Sequence, residues 1–230
     1  MALSALSLFL FAACSSGDGG GVSMTQSAQG RFLALGDSYT IGESVPPSER
    51  WPVQLAGLLR DAGVPVQDPE IIARTGWTTD ELSAGVDAAA PSGPYELVSL
   101  LIGVNNQYRG RSADEYRAEL RGLIGRAIGF AGDRPQRVVV LSIPDWGVTP
   151  FAEGRDREQI AREIDAYNAI KREEALRAGV HFVDVASVSR TAATNARLTA
   201  EDGLHPSGVL YAEWARLALP AALAALRSGS

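Results

Sequence analysis

The sequence predicts one α/β domain built on a mostly parallel sheet. Three observations carry that reading: five short apolar runs, amphipathic stretches between them, and a length of 230 residues that suits a single core. The runs are 31–36 (RFLALG), 69–73 (PEIIA), 96–102 (ELVSLLI), 137–143 (RVVVLSI) and 180–185 (VHFVDV). They are nearly continuous in hydrophobicity and β-branched in places, as strands buried on both faces are. Helices alternating with such strands imply right-handed crossovers and a helical layer on each side of the sheet.

Ahead of the first run, residues 1–13 (MALSALSLFLFAA) are apolar apart from Ser4 and Ser7. They are too few to cross a hydrocarbon core, which needs about 20 helical residues, and they read as the apolar region of a secretory signal. Residues 14–30 are rich in Gly and Ser and read as a flexible tether. The run Phe11-Ala12-Ala13-Cys14 resembles a bacterial lipoprotein signal, which implies lipidation of Cys14, a membrane anchor and a place in the cell envelope. Residues 31–230 are then the folded domain.

Within it, Leu55, Leu58, Leu59 and Ala62 share a face of the first long helix. The second opens on a capping-box pattern from Thr78 to Glu81, and the third on another from Ser112 to Glu115. Tyr116, Leu120, Leu123 and Ala127 form the stripe of the third helix; Ile160, Ile164 and Tyr167 form that of the fourth. The last helix runs from Ser207 to about Leu226, behind Pro206, with a kink expected near Pro220. There is no internal repeat and no second domain.

Composition narrows the function. The chain is 46% apolar and 21% charged, which argues against disorder along most of its length. Its net charge of −6 argues against nucleic acid as a partner, because phosphate contacts need clustered Lys and Arg. Lys171 is the only lysine among 21 basic residues, a bias that coding composition explains. A single cysteine, Cys14, allows no intramolecular disulfide and no Cys-based zinc cluster. Two histidines, His181 and His205, are the whole supply of imidazole, and His181 at the head of an apolar run reads as structural.

In a parallel sheet the ligand site lies beyond the carboxyl ends of the strands, so the loops after each run carry the chemistry. After the first comes Gly36-Asp37-Ser38-Tyr39-Thr40, which puts a hydroxyl on a tight strand-to-helix turn, where Ser38 reads as either a nucleophile or a helix N-cap. After the second, Gly76 precedes a helix and reads as either a bare N–H donor or a simple turn glycine. After the third, Asn105 of Gly103-Val104-Asn105-Asn106 offers an uncharged amide donor or an Asx turn. After the fifth, Asp202 and His205 stand three apart in Asp202-Gly203-Leu204-His205-Pro206-Ser207, where a carboxylate can fix the imidazole tautomer. Taken together these residues make a nucleophile, an oxyanion hole and a general base with its orienting acid.

In order and spacing these motifs resemble the SGNH (GDSL) hydrolase superfamily over residues 31–226. The resemblance implies a flavodoxin-like three-layer αβα fold with strand order 2-1-3-4-5. It also implies Ser38, Gly76, Asn105 and His205 as the four named positions, with Asp202 as the triad acid. Asn106 stands where the family usually carries Asp, and we expect it to be a structural loop contact. The implied activity is hydrolysis of a carboxylic ester through an acyl-enzyme, with Ser38, Gly76 and Asn105 forming the oxyanion hole and no metal or organic cofactor. Carbohydrate O-deacetylation is the nearest rival, followed by lysophospholipase or thioesterase action and by acyl transfer. A non-catalytic envelope binding module is the reading from another class. Tyr39, Trp77, Tyr108 and Trp146, with Phe151 following, are expected to border the cleft, and Arg109 and Arg111 to be either solvated or in contact with an anionic substrate group. The absence of a long insertion predicts an open cleft that favours short or soluble esters.

Overall fold

In the computed structural model, which describes Met1 and residues 29–227, all five predicted strands form. The signal reading, with Cys14, and nearly all of the tether lie outside the described residues. The strands are β1 (Phe32–Gly36), β2 (Glu70–Ala73), β3 (Leu97–Leu101), β4 (Val138–Leu141) and β5 (His181–Val183). They pair in parallel throughout, in the order β2-β1-β3-β4-β5. Each is shorter than its apolar run because a ladder lasts only while a neighbour lies opposite. β5, at the edge, meets β4 at Val139–Leu141 and ends.

Eight α-helices surround the sheet: α1 (Ser38–Ile41), α2 (Trp51–Asp61), α3 (Thr79–Ala89), α4 (Val104–Tyr108), α5 (Ala113–Phe130), α6 (Arg157–Arg177), α7 (Ala186–Ser189) and α8 (Gly208–Arg227), counted among the described residues. α2 and α8 pack on one another, with α8 also against β3, β4 and β5; α3, α5 and α6 form a second packed group. The helix starts follow the sequence only in part. At Thr78 the backbone N–H donates to Glu81 Oε2 at 2.9 Å, as a capping box requires. At Ser112 only half the box forms: its Oγ accepts from the Glu115 N–H at 3.1 Å, while the Glu115 carboxylate is drawn to Arg111 instead.

The predicted stripes are buried except at two positions of α2. Leu58 is only half-buried there. Ala62 falls at the end of α2 and is exposed, so that helix presents Leu55, Ala56 and Leu59 to the core together with Trp51. α8 buries Leu210, Tyr211, Trp214, Ala215, Ala218, Ala222 and Ala225, a three-and-four spacing whose small side chains let it lie close to α2. It runs unbroken through Pro220, which sits on the exposed side where a missing backbone donor is least costly.

The register of the sheet sets up the site. Gly36, the last residue of β1, lies opposite Ala73 of β2 and Leu101 of β3, so the three following loops emerge side by side. Gly36 has no room for a side chain: a Cβ would stand 2.1 Å from Thr40 Oγ1 and 2.3 Å from the Leu101 carbonyl. Its bareness lets α1 fold straight back over the strand end.

Candidate active site

Beyond Gly36, Asp37 caps α1 by accepting from the Tyr39 N–H at 3.0 Å, which makes Ser38 the first helical residue. The Ser38 N–H bonds to no other described residue, as expected of a helix-opening donor. The Gly76 N–H is likewise unengaged among the described residues, at a backbone φ of +85° that a side chain would strain. Two contacts lace the Gly76 loop to α4. The Asn105 amide donates to the Trp77 carbonyl at 2.9 Å, and Arg109 donates to the Gly76 carbonyl at 2.6 Å. One N–H of the Asn105 amide therefore remains for a ligand. Asn106 is fully buried and grips Thr79, accepting from its N–H at 3.1 Å and donating to its Oγ1 at 2.6 Å, which is the expected loop contact.

His205 is nearly buried, and its Nδ1 lies 2.5 Å from Asp202 Oδ2. Asp202 Oδ1 accepts from the Leu204 and His205 N–H groups, each at 2.9 Å. Partial burial works against the charged carboxylate, but hydrogen bonds from Ser44, from the His205 ring and from those two N–H groups prevail and hold Asp202 well below the usual carboxylate range. An ionised carboxylate can only accept, so the proton between the two groups resides on Nδ1 and Nε2 is left as an acceptor. The Tyr39 ring backs the imidazole at 5.5 Å in an edge-on contact.

Ser38, Asn105 and His205 line one hollow of about 160 Å³, together with Tyr39, Val104, Tyr108, Trp146, Phe151 and Leu204. Three of the four aromatic residues expected at the cleft are there. Tyr39 is buried behind the imidazole, Trp146 is held in the wall by a 2.8 Å bond from its Nε1 to Gln107, and Tyr108 stands half exposed at the mouth beside Phe151. Trp77 is not among the lining residues. Its ring lies over Gly85 of α3, where the missing side chain makes room for it. Gly76 does not line the hollow; its loop is tied to a lining residue, Asn105, through the Trp77 carbonyl. The two loop arginines are committed elsewhere: Arg109 to Gly76 and Glu81, Arg111 to Glu115 and Asp80.

Under Ser38 lies a pair that sequence reasoning passed over. Asp37 and Lys171 are both wholly buried, and Lys171 Nζ donates to the carbonyls of Ile102 and Leu141, at the ends of β3 and β4. Burial pushes Asp37 up to about 7 and pulls Lys171 down to about 7, and each charge opposes the shift of the other. The available signal was the singularity of Lys171: one lysine in an arginine-rich chain, on the same face of α6 as Ile160, Ile164 and Tyr167.

A parallel sheet of this order, with a serine, an imidazole–carboxylate pair and an amide gathered at its carboxyl end, defines a serine-type hydrolase architecture. The GDSL-like lipase/acylhydrolase family model matches residues 34–212, and the chain belongs to that family of carboxylic ester hydrolases. Solved structures share the fold. TesA superposes with a TM-score of 0.64 at 19% identity, covering 83% of this chain and 97% of TesA. Axe2, an acetylxylan esterase from Geobacillus stearothermophilus, gives 0.62 at 22% identity over 84% of this chain and 94% of its own. The psychrotrophic esterase EstA from Pseudoalteromonas sp. gives 0.63 at 14% identity over 87% and 98%. No curated protein sequence matches the chain.

Proposed function

We infer that the protein hydrolyses short-chain or soluble carboxylic esters by an acyl-enzyme route, with Ser38 as nucleophile, His205 as base and Asp202 as its orienting acid. The observation that carries this reading is the meeting of Ser38, Asn105 and His205 around one hollow, with Asp202 fixing the imidazole from behind. His205 Nε2 takes the Ser38 proton as the serine oxygen attacks the ester carbonyl. The resulting oxyanion is met by the Ser38 and Gly76 N–H groups and the free Asn105 N–H, none of which must give up another bond to receive it. His205 then protonates the leaving alcohol, and water repeats the cycle to release the acid. A fluorophosphonate probe should modify Ser38 in the folded protein. Loss of p-nitrophenyl acetate hydrolysis in step with that modification is the expected result; failure to label would favour a binding module that keeps the fold without the chemistry.

The size of the hollow supports a small acyl group. It measures about 160 Å³ and is walled in part by Tyr39, Trp146 and Leu204. A second reading, O-deacetylation of a carbohydrate, is favoured by the mouth of the site. Tyr108 and Phe151 are 47% and 40% exposed there, and beyond Tyr108 a polar recess is lined by Gln107, Arg155, Gln159 and Glu163. Aromatic faces beside planar polar side chains suit a sugar ring. Acetate released from acetylated xylan, set against fatty acid released from a lysophospholipid, separates the two classes of substrate. The apolar residues 1–13, with Cys14 and the Gly/Ser-rich stretch behind it, support export and anchoring in the cell envelope by a lipid on Cys14.

A further inference from the structure

The acid of the triad has a fourth donor that the mechanism above does not use. Ser44 stands in the turn after α1, yet its Oγ donates to Asp202 Oδ2 at 2.7 Å. That oxygen is also the one bonded to His205 Nδ1, at 2.5 Å. With Leu204 and His205 N–H on Oδ1, four donors fill the acceptor positions of one ionised carboxylate.

The backbone at Ser44 points the same way. Its φ is +64°, in the left-handed region that residues with a side chain seldom occupy. Ser44 is exposed, and a glycine there would hold the same turn without steric cost. Backbone bonds from Glu43 to Ser38 and from Val45 to Gly42 keep the turn closed on both sides. A serine at such a position, with its hydroxyl on the Asp202 carboxylate, points to a use for that hydroxyl.

The use is not placement. The two backbone donors on Oδ1 hold the Asp202 carboxylate whether or not Ser44 is present. What a second donor on Oδ2 changes is the electron density there, and so the pull of that oxygen on the Nδ1 proton. Tyr39 at the start of α1 and Tyr211 of α8 both sense the Asp202 charge, and the same phenols sense Asp37, Glu43 and Asp145. Two of those carboxylates have cations of their own, Arg190 at 2.9 Å from Asp145 and Lys171 beside Asp37, whereas the Ser44 hydroxyl acts directly on Oδ2.

We propose that Ser44 tunes the triad through Asp202, lowering the basicity of Oδ2 so that His205 gives up its proton more readily and serves as a base further into the acidic range. This rests on the Ser38–His205–Asp202 reading. The test is the pH profile of kcat/KM for p-nitrophenyl acetate in wild type, Ser44→Gly and Ser44→Thr, with Tm measured alongside.

Ser44→Gly relieves the backbone and should melt at or above the wild-type temperature. Its acidic limb should nevertheless move up by about half a pH unit, which is roughly a threefold loss of kcat/KM on that limb. Its alkaline plateau should stay within about twofold of wild type. Ser44→Thr keeps the hydroxyl on a strained β-branched residue, so it should melt lower while its limb stays in place. An unmoved limb in Ser44→Gly, or a limb that moves equally in both variants, overturns the proposal. Labelling of wild-type Ser38 by a fluorophosphonate keeps the outcomes apart. If it labels and the limb does not move, only the role of Ser44 falls; if it does not label, the triad reading falls and takes this proposal with it.

Discussion

Asn105 and Ser38 differ in what their loss removes. On the proposed mechanism Ser38→Ala takes away the atom that forms the covalent bond, and His205→Ala the base, so each should abolish ester hydrolysis to the level of the oxyanion donors alone. Asn105→Ala removes one of three donors and should lower kcat by about 10²–10³ while leaving measurable turnover. Steady-state kinetics on p-nitrophenyl acetate check all three, and an Asn105→Ala variant as dead as Ser38→Ala would mean that the amide does more than donate. The buried pair below them is a matter of stability. In the folded chain Asp37 titrates at about 7 instead of its usual 3.8, so it costs stability as pH rises through that interval and no further. Lys171 titrates at about 7 instead of 10.5, so its cost is lifted as pH rises above 7. Lys171→Met removes the second effect and drives Asp37 still higher. The variant should then lose stability relative to wild type as pH rises above 7, as urea denaturation across that range would show. Asp37→Asn combined with Lys171→Met should show no such slope.

Among the elements, α5 and α6 are clamped by one carboxylate. Glu174 of α6, buried, accepts from Arg117 at 2.9 Å and from Arg121 at 3.0 and 3.1 Å, both on α5, and Arg177 lies 3.2 Å away. The Arg121 hydrogen bonds, ahead of the opposing effect of burial and with Arg117 adding to them, pull Glu174 down to about 2. Because the folded value lies below the unfolded one, this contribution is complete above about pH 4.5 and disappears as pH falls towards 2. Glu174→Gln should therefore lower Tm at neutral pH and lose less on acidification than wild type, as thermal melts from pH 7 to pH 3 would show. The elements themselves were largely legible in the sequence, because a doubly covered strand and a one-faced helix leave periodicities that composition cannot hide. Long-range polar contacts leave none. Nothing near Ser44 names Asp202 as its partner, and nothing near Lys171 names the two strand-end carbonyls it bonds. Trp77 was misplaced for the same reason: the strand-end rule brings a residue to the rim, but the gap above Gly85 turns its ring away.

For the whole molecule, the strand-end rule and the motif order put Ser38, Asn105 and His205 on loops that meet at one hollow, since parallel topology fixes which loops are neighbours. The absence of a covering insertion among the described residues leaves the hollow open, and its small volume sets a preference. kcat/KM should be highest for the acetate ester of p-nitrophenol and should fall steeply by the palmitate ester; the reverse order would contradict a short-acyl site. If Cys14 carries the anchor, mass spectrometry of membrane-extracted protein should find the mature N-terminus at that residue with diacylglyceryl on its sulfur, and Cys14→Ala should move the protein to the soluble fraction.

The packing of α8 on α2 has a bearing on how the chain is made. Trp51, near the start of the domain, and Trp214, near its end, are both sealed from water in the layer these two helices form. Until the closing helix has left the ribosome, the earlier one has nothing to lie against, and its oily side stays bare. The native layer cannot close before α8 has been made, so the segment between the two helices is synthesised while the face of the earlier one is still uncovered.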